Sequence, residues 1–128
     1  TVEEFNEMKK HTLIGASMLS KMERYKEEPL IHIAYQICRW HHERYDGSGY
    51  PDQLVGEQIP IAAQVVGLAD AYETLTTGSG SQPPVPCSAA VQMLCTGEAG
   101  AFNPVLLDCL REIENEIDDA MRRRPETL

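Results

Sequence analysis

The chain has 128 residues, the length of one domain. Eleven Lys and Arg against twenty Asp and Glu leave a formal net charge of −9, which repels phosphate backbones and excludes a general nucleic-acid-binding surface. Hydrophobic residues at 42% and charged residues at 24% exclude a disordered tail, and no run approaches the ~18 apolar residues of a bilayer span.

The first residue is Thr1 rather than Met, which reads as a piece trimmed from something longer, and no secretory signal opens it. A first helix is expected over roughly residues 2–22, with Phe5, Met8, Leu13, Ile14, Met18 and Met22 near one face. A second follows Pro29 over roughly 30–43, with Ile31, Ala34, Ile37, Cys38 and His41 as a buried stripe. Residues 46–52 are dense in turn formers. A third helix runs from near Pro60 to about Thr76. The Gly-, Ser- and Pro-rich residues 77–87 read as a flexible surface loop inside one domain spanning 1–128. A short helix over roughly 88–96 follows, and then a C-terminal helix over 104–124, capped by Asn103 with Pro104 in its first turn. Its stripe includes Ile113, Ile117 and Met121, an apolar surface on which a homodimer is expected. None of the four cysteines forms a C-x-x-C pair; Cys38, Cys95 and Cys109 read as reduced core residues, which suggests a cytoplasmic setting.

Chemistry concentrates in residues 41–51. His41 and His42 are adjacent at the end of an apolar helix that enters a glycine-rich loop. They read either as capping histidines near a helix C-terminus or as metal ligands, imidazole being the commonest nitrogen ligand for first-row metals. Two further residues favour ligation. His11 lies on the first helix beside Ile14 and Gly15, a spacing that permits close helix approach. Asp70 is flanked by Leu68, Ala69 and Ala71, and a lone Asp in so apolar a run should be paired or metal-bound. Three histidines and an aspartate suit iron, manganese or zinc. His32 belongs to none of this and reads as a rim residue. Residues 46–57 have the length of an EF-hand loop, but Pro51 stands where glycine is required.

Taken together, these motifs resemble those of the HD-GYP domains, bacterial metal-dependent phosphodiesterases of cyclic di-GMP. His41-His42-Glu43 followed by Asp46-Gly47-Ser48-Gly49-Tyr50-Pro51 is similar to the family signature. His11 to Gly15, Leu54 to Val65, Ala69 to Thr76 and Phe102-Asn103-Pro104 are similar to further family motifs in the same order, over roughly residues 5–110. The resemblance implies an all-α helical bundle of the HD type, with about five helices, truncated on its N-terminal side. It also implies a two- or three-metal centre, with His11, His41, His42 and Asp70 at ligand positions and Asp46, Gly47, Gly49, Tyr50 and Pro51 forming the signature loop.

The departures shape the functional expectation. The family's His-Asp pair and lysine lie upstream of the H-x-x-x-G helix, and His11 is the first histidine here. The family's basic stretch after the aspartate is replaced by residues 78–84, and no Lys or Arg occurs between Arg44 and Arg111. The expected function is therefore an HD-GYP-like signalling domain, catalytically degenerate or incomplete as it stands. One alternative is the C-terminal part of an active cyclic di-GMP phosphodiesterase; the other is a purely structural helical domain. A divalent metal is the expected cofactor if the site is retained. The expected partners are a cyclic dinucleotide, weakly held, and a protein or a second copy.

Overall fold

The computed structural model describes residues 1–124. Among them the chain is all-helical, as the resemblance implies: α1 Val2–Ser20, α2 Pro29–Trp40, α3 Ile61–Thr77, α4 Cys87–Thr96, α5 Pro104–Glu112 and α6 Glu114–Arg122, with 3₁₀ turns at Glu23–Tyr25 and Gly56–Gln58. No described helix is long and apolar enough to cross a membrane. The chain divides into two compact units at the middle of α3, Thr1–Ala69 and Asp70 onward.

In the first unit α1 and α2 lie side by side. A capping box starts α1: the Glu4 N–H donates to Thr1 Oγ1 at 3.1 Å, and the Glu4 carboxylate accepts from the Thr1 amino group. The apolar residues placed near one face of α1 are not part of the core. Phe5, Met8, Leu13, Ile14, Met18 and Met22 are all exposed, and the residues that α1 buries are Thr12 and Ala16. Apolar periodicity shows that a helix has an apolar face, not that its own unit covers it. At Gly15 the approach is ordinary, since a Cβ there would sit 3.5 Å from Cys38. The α2 stripe is half-buried rather than buried.

In the second unit the buried side chains are Tyr72 on α3, Ala90, Val91 and Leu94 on α4, and Leu110 on α5. Burial pushes the Tyr72 phenol above its ordinary value of 10.0, and a hydrogen bond with Cys87 and the nearby Asp118 and Glu114 carboxylates push it the same way. It is a neutral core residue at any working pH. Gly97 ends α4 with φ +83°, a left-handed cap. Residues 77–87, expected to be a flexible loop, contain a tight turn: Ser79 and Gln82 exchange both backbone hydrogen bonds, at 3.0 and 2.8 Å.

The Asn103 cap forms as expected, with Oδ1 accepting from Val105 N at 3.0 Å. The single C-terminal helix does not. It breaks at Ile113, whose φ of −100° and ψ of 8° leave the helical region, giving α5 and α6. No Gly or Pro marks the break. The signal that could have found it is Glu114 and Glu116, acidic residues that suit a helix first turn. Ile113 is exposed, whereas Ile117 and Met121 are half-buried. The cysteines also correct the expectation of core residues: all four are free, Cys38 and Cys95 are half-buried and Cys109 is exposed.

Candidate metal centre

Three histidines converge in the first unit. His11 comes from the middle of α1, His41 caps α2, and His42 begins the turn that follows. One ring nitrogen from each lies within 4.8 Å of the other two. Ring centroids are 5.4 Å apart for His11–His41, 5.0 Å for His11–His42 and 4.1 Å for His41–His42.

Hydrogen bonds fix which nitrogen faces inward. His11 Nδ1 lies 2.5 Å from the Met8 carbonyl, and His41 Nδ1 lies 2.7 Å from the Ile37 carbonyl. A carbonyl only accepts, so each Nδ1 carries the proton and each Nε2 presents a lone pair. Those two Nε2 atoms face each other at 3.5 Å. Between two neutral imidazoles such a contact is repulsive, and a shared cation, a metal ion or a proton, relieves it. Two nitrogens on a tetrahedral metal at ~2.05 Å lie about 3.3 Å apart. The residues therefore fit a divalent metal, and the carbonyls supply the outer hydrogen bonds that orient imidazole ligands.

Two other positions singled out by the sequence are exposed. Asp70 is exposed on α3, where the second unit begins, so burial does not force a partner on it. Its carbonyl accepts from Thr74 Oγ1. His32 is exposed on α2.

The signature loop is tied back onto the end of α2. Asp46 closes its first turn by accepting from the Ser48 N–H and hydroxyl, which hold its carboxyl below the usual 3.8. The Tyr50 N–H donates to the His42 carbonyl at 3.3 Å. Glu43 is only 5% exposed, and it faces this loop. Its Oε1 accepts from Asp52 N at 2.6 Å and its Oε2 from Leu54 N at 3.0 Å. Two glycines permit the packing: a Cβ at Gly49 would meet the His42 carbonyl, Glu43 Cα and Arg44 N at 2.4–2.5 Å, and one at Gly67 would meet the His41 carbonyl at 2.5 Å. The anchoring role of Glu43 was not foreseen; a carboxylate inside a histidine motif followed by a tight loop is the signal that could have suggested it.

A second tie is ionic. Asp52 accepts from Arg39 at 2.8 and 3.1 Å and from Trp40 Nε1 at 2.7 Å. The Arg39 guanidinium, then the Trp40 indole, hold the Asp52 carboxyl below its usual 3.8. Its contribution to stability is present above the unfolded value and lost as pH falls through the lower folded value. The Asp52 side chain is 33% exposed, so screening limits the gain to roughly 1 kcal/mol. Between pH 7 and pH 3 the native chain is expected to lose more stability than Asp52→Asn. Urea midpoints at the two pH values check this, and equal losses would refute it.

Comparison with known proteins agrees with this architecture. The HD-domain family profile matches residues 1–105. A cyclic di-GMP phosphodiesterase of Thermotoga maritima is 33% identical over 123 residues, 96% of this chain and 32% of the relative. A probable cyclic di-GMP phosphodiesterase of Vibrio cholerae is 36% identical over 125 residues, 95% of this chain and 28% of the relative. The cyclic di-GMP phosphodiesterase response regulator RpfG of Xanthomonas campestris is 38% identical over 110 residues, 86% of this chain and 28% of the relative. The chain thus spans a third or less of the length of these relatives.

Proposed function

The chain belongs to the HD-domain family, and from that premise we propose that it is a metal-binding domain of the HD-GYP signalling type that does not hydrolyse cyclic di-GMP on its own. The observation that carries the metal reading is the pair of Nε2 atoms facing each other at 3.5 Å, with each Nδ1 against a helix carbonyl. His11, His41 and His42 would hold the ion. A divalent metal at such a site supplies Lewis acidity toward a phosphodiester and an activated hydroxide. The protein's part is orientation: α1 and α2 bring the imidazoles together, and the loop after His42 closes over the helix end. Iron, manganese and zinc all suit the donor set.

Two features support inactivity in isolation. The donor cluster found among the described residues is three histidines, enough for one ion. The net charge is −9, and no Lys or Arg lies between Arg44 and Arg111 to hold a dianionic dinucleotide. The competing reading, a catalytic part completed by further protein, is favoured by what the relatives are named for.

The test is metal content and affinity of protein purified without an affinity tag, followed by a hydrolysis assay with each metal. Near-stoichiometric uptake is expected, with at least a hundredfold loss of affinity in His41→Ala and no cyclic di-GMP turnover. Absence of uptake would refute the metal reading. Turnover by this chain, abolished in His41→Ala, would refute the inactivity.

A further inference from the structure

We propose that Tyr50 is a positioning residue for the metal ligand His42, acting through ring stacking rather than through its hydroxyl. The inference rests on the metal-binding reading above and adds a residue to it. His11 and His41 are each oriented by an Nδ1 hydrogen bond to the preceding helical turn. His42 stands just beyond the end of α2. There the Tyr50 ring lies against it, centroids 4.9 Å apart and planes within 17°. A stacked imidazole is restricted in rotation about its Cβ–Cγ bond, and that rotation aims its lone pair. Groups that orient an imidazole ligand typically govern metal affinity by 10- to 100-fold.

The arrangement is built from several sides. The Tyr50 N–H donates to the His42 carbonyl, so ring and backbone both register on the same ligand. Glu43, the next residue in sequence, draws Asp52 N and Leu54 N onto its buried carboxylate and fixes the loop just beyond Tyr50. Gly49 leaves no side chain in the path. From the other helix, Lys9 Nζ lies 5.3 Å from the Tyr50 ring centroid and 4.5 Å from that of Phe5. A cation near a ring face is attracted to it. Lys9 is two residues before His11, so the element that carries one ligand also steadies the ring that aims another.

The test compares zinc affinity, by competition with a chromophoric chelator, and the cobalt(II) visible spectrum for the native chain, Tyr50→Phe and Tyr50→Leu. Tyr50→Phe is expected to match the native chain on both. Tyr50→Leu is expected to bind zinc 10- to 100-fold more weakly and to change the cobalt bands. A folded Tyr50→Leu with native affinity and spectrum would overturn the proposal. Equal loss in Tyr50→Phe and Tyr50→Leu would also overturn it, because the hydroxyl would then be the active part. If Tyr50→Leu does not fold, the native chain loaded with cobalt decides by nuclear magnetic resonance. The Tyr50 ring protons should carry the largest paramagnetic shift among the five tyrosines, and an unshifted ring overturns the stack. Failure of the metal reading itself looks different, since the native chain then takes up neither ion.

Discussion

Gly49→Ala is expected to destabilise the chain by about 3 kcal/mol and to weaken metal binding with it. The added methyl would lie 2.4–2.5 Å from three backbone atoms: the His42 carbonyl, Glu43 Cα and Arg44 N. No side chain is available to swing aside, so the loop itself must lift. Lifting it stretches the Tyr50 N–H bond to the His42 carbonyl and moves Tyr50 off the imidazole. Urea denaturation and zinc titration should therefore report the same substitution together. Gly15→Ala is the control. Its Cβ meets Cys38 at an ordinary 3.5 Å, and alanine favours a helix interior by up to ~1 kcal/mol over glycine. Native-like stability in Gly49→Ala would show that the loop is free to shift.

Glu43→Ala is expected to cost roughly 3 kcal/mol, chiefly by leaving two loop N–H groups without their acceptor. The carboxylate takes one bond on each oxygen, from Asp52 and Leu54, in a site that is 5% exposed. Glu43→Gln keeps one acceptor oxygen and turns an amide N–H₂ toward the other donor, so its loss should be smaller but clear. Chemical denaturation of both variants gives the ranking. If Glu43→Gln lost metal affinity while keeping native stability, Glu43 would be acting on the ion rather than on the loop.

The motifs were more legible than the packing. Helix existence followed from periodicity and end chemistry; Asn103-Pro104 set the start of α5, and Pro29 the start of α2. The histidines read as one ligand set from their residue types and neighbours as well as from the resemblance, but their distances were not legible, because nothing local tells His11 that it will face a residue 30 positions away. On α1 the periodicity marked a face but not its burial: Ile14 and Met18 are apolar at helical spacing and point to solvent, while the buried residues are Thr12 and Ala16. The break at Ile113 was illegible for a similar reason. A non-helical ψ at an isoleucine is imposed by context, and its trace in sequence is only the acidic pair that follows. At Asp70 the alanine and leucine beside it implied burial, but an α-helix sends adjacent residues in different directions and the aspartate is exposed.

The pairing of His11 with His41 has a thermodynamic corollary. An ion held by both would staple α1 to α2 across 30 residues of chain, so the grip between the two helices would track the supply of that ion. At a free concentration a hundred times its dissociation constant, such a ligand adds about 2.7 kcal/mol to the folded state. Chelation would withdraw that increment from a helix with much of its apolar surface already turned to water. Fraying should then begin at α1, ahead of global unfolding, and amide exchange along it would act as a gauge of local metal availability.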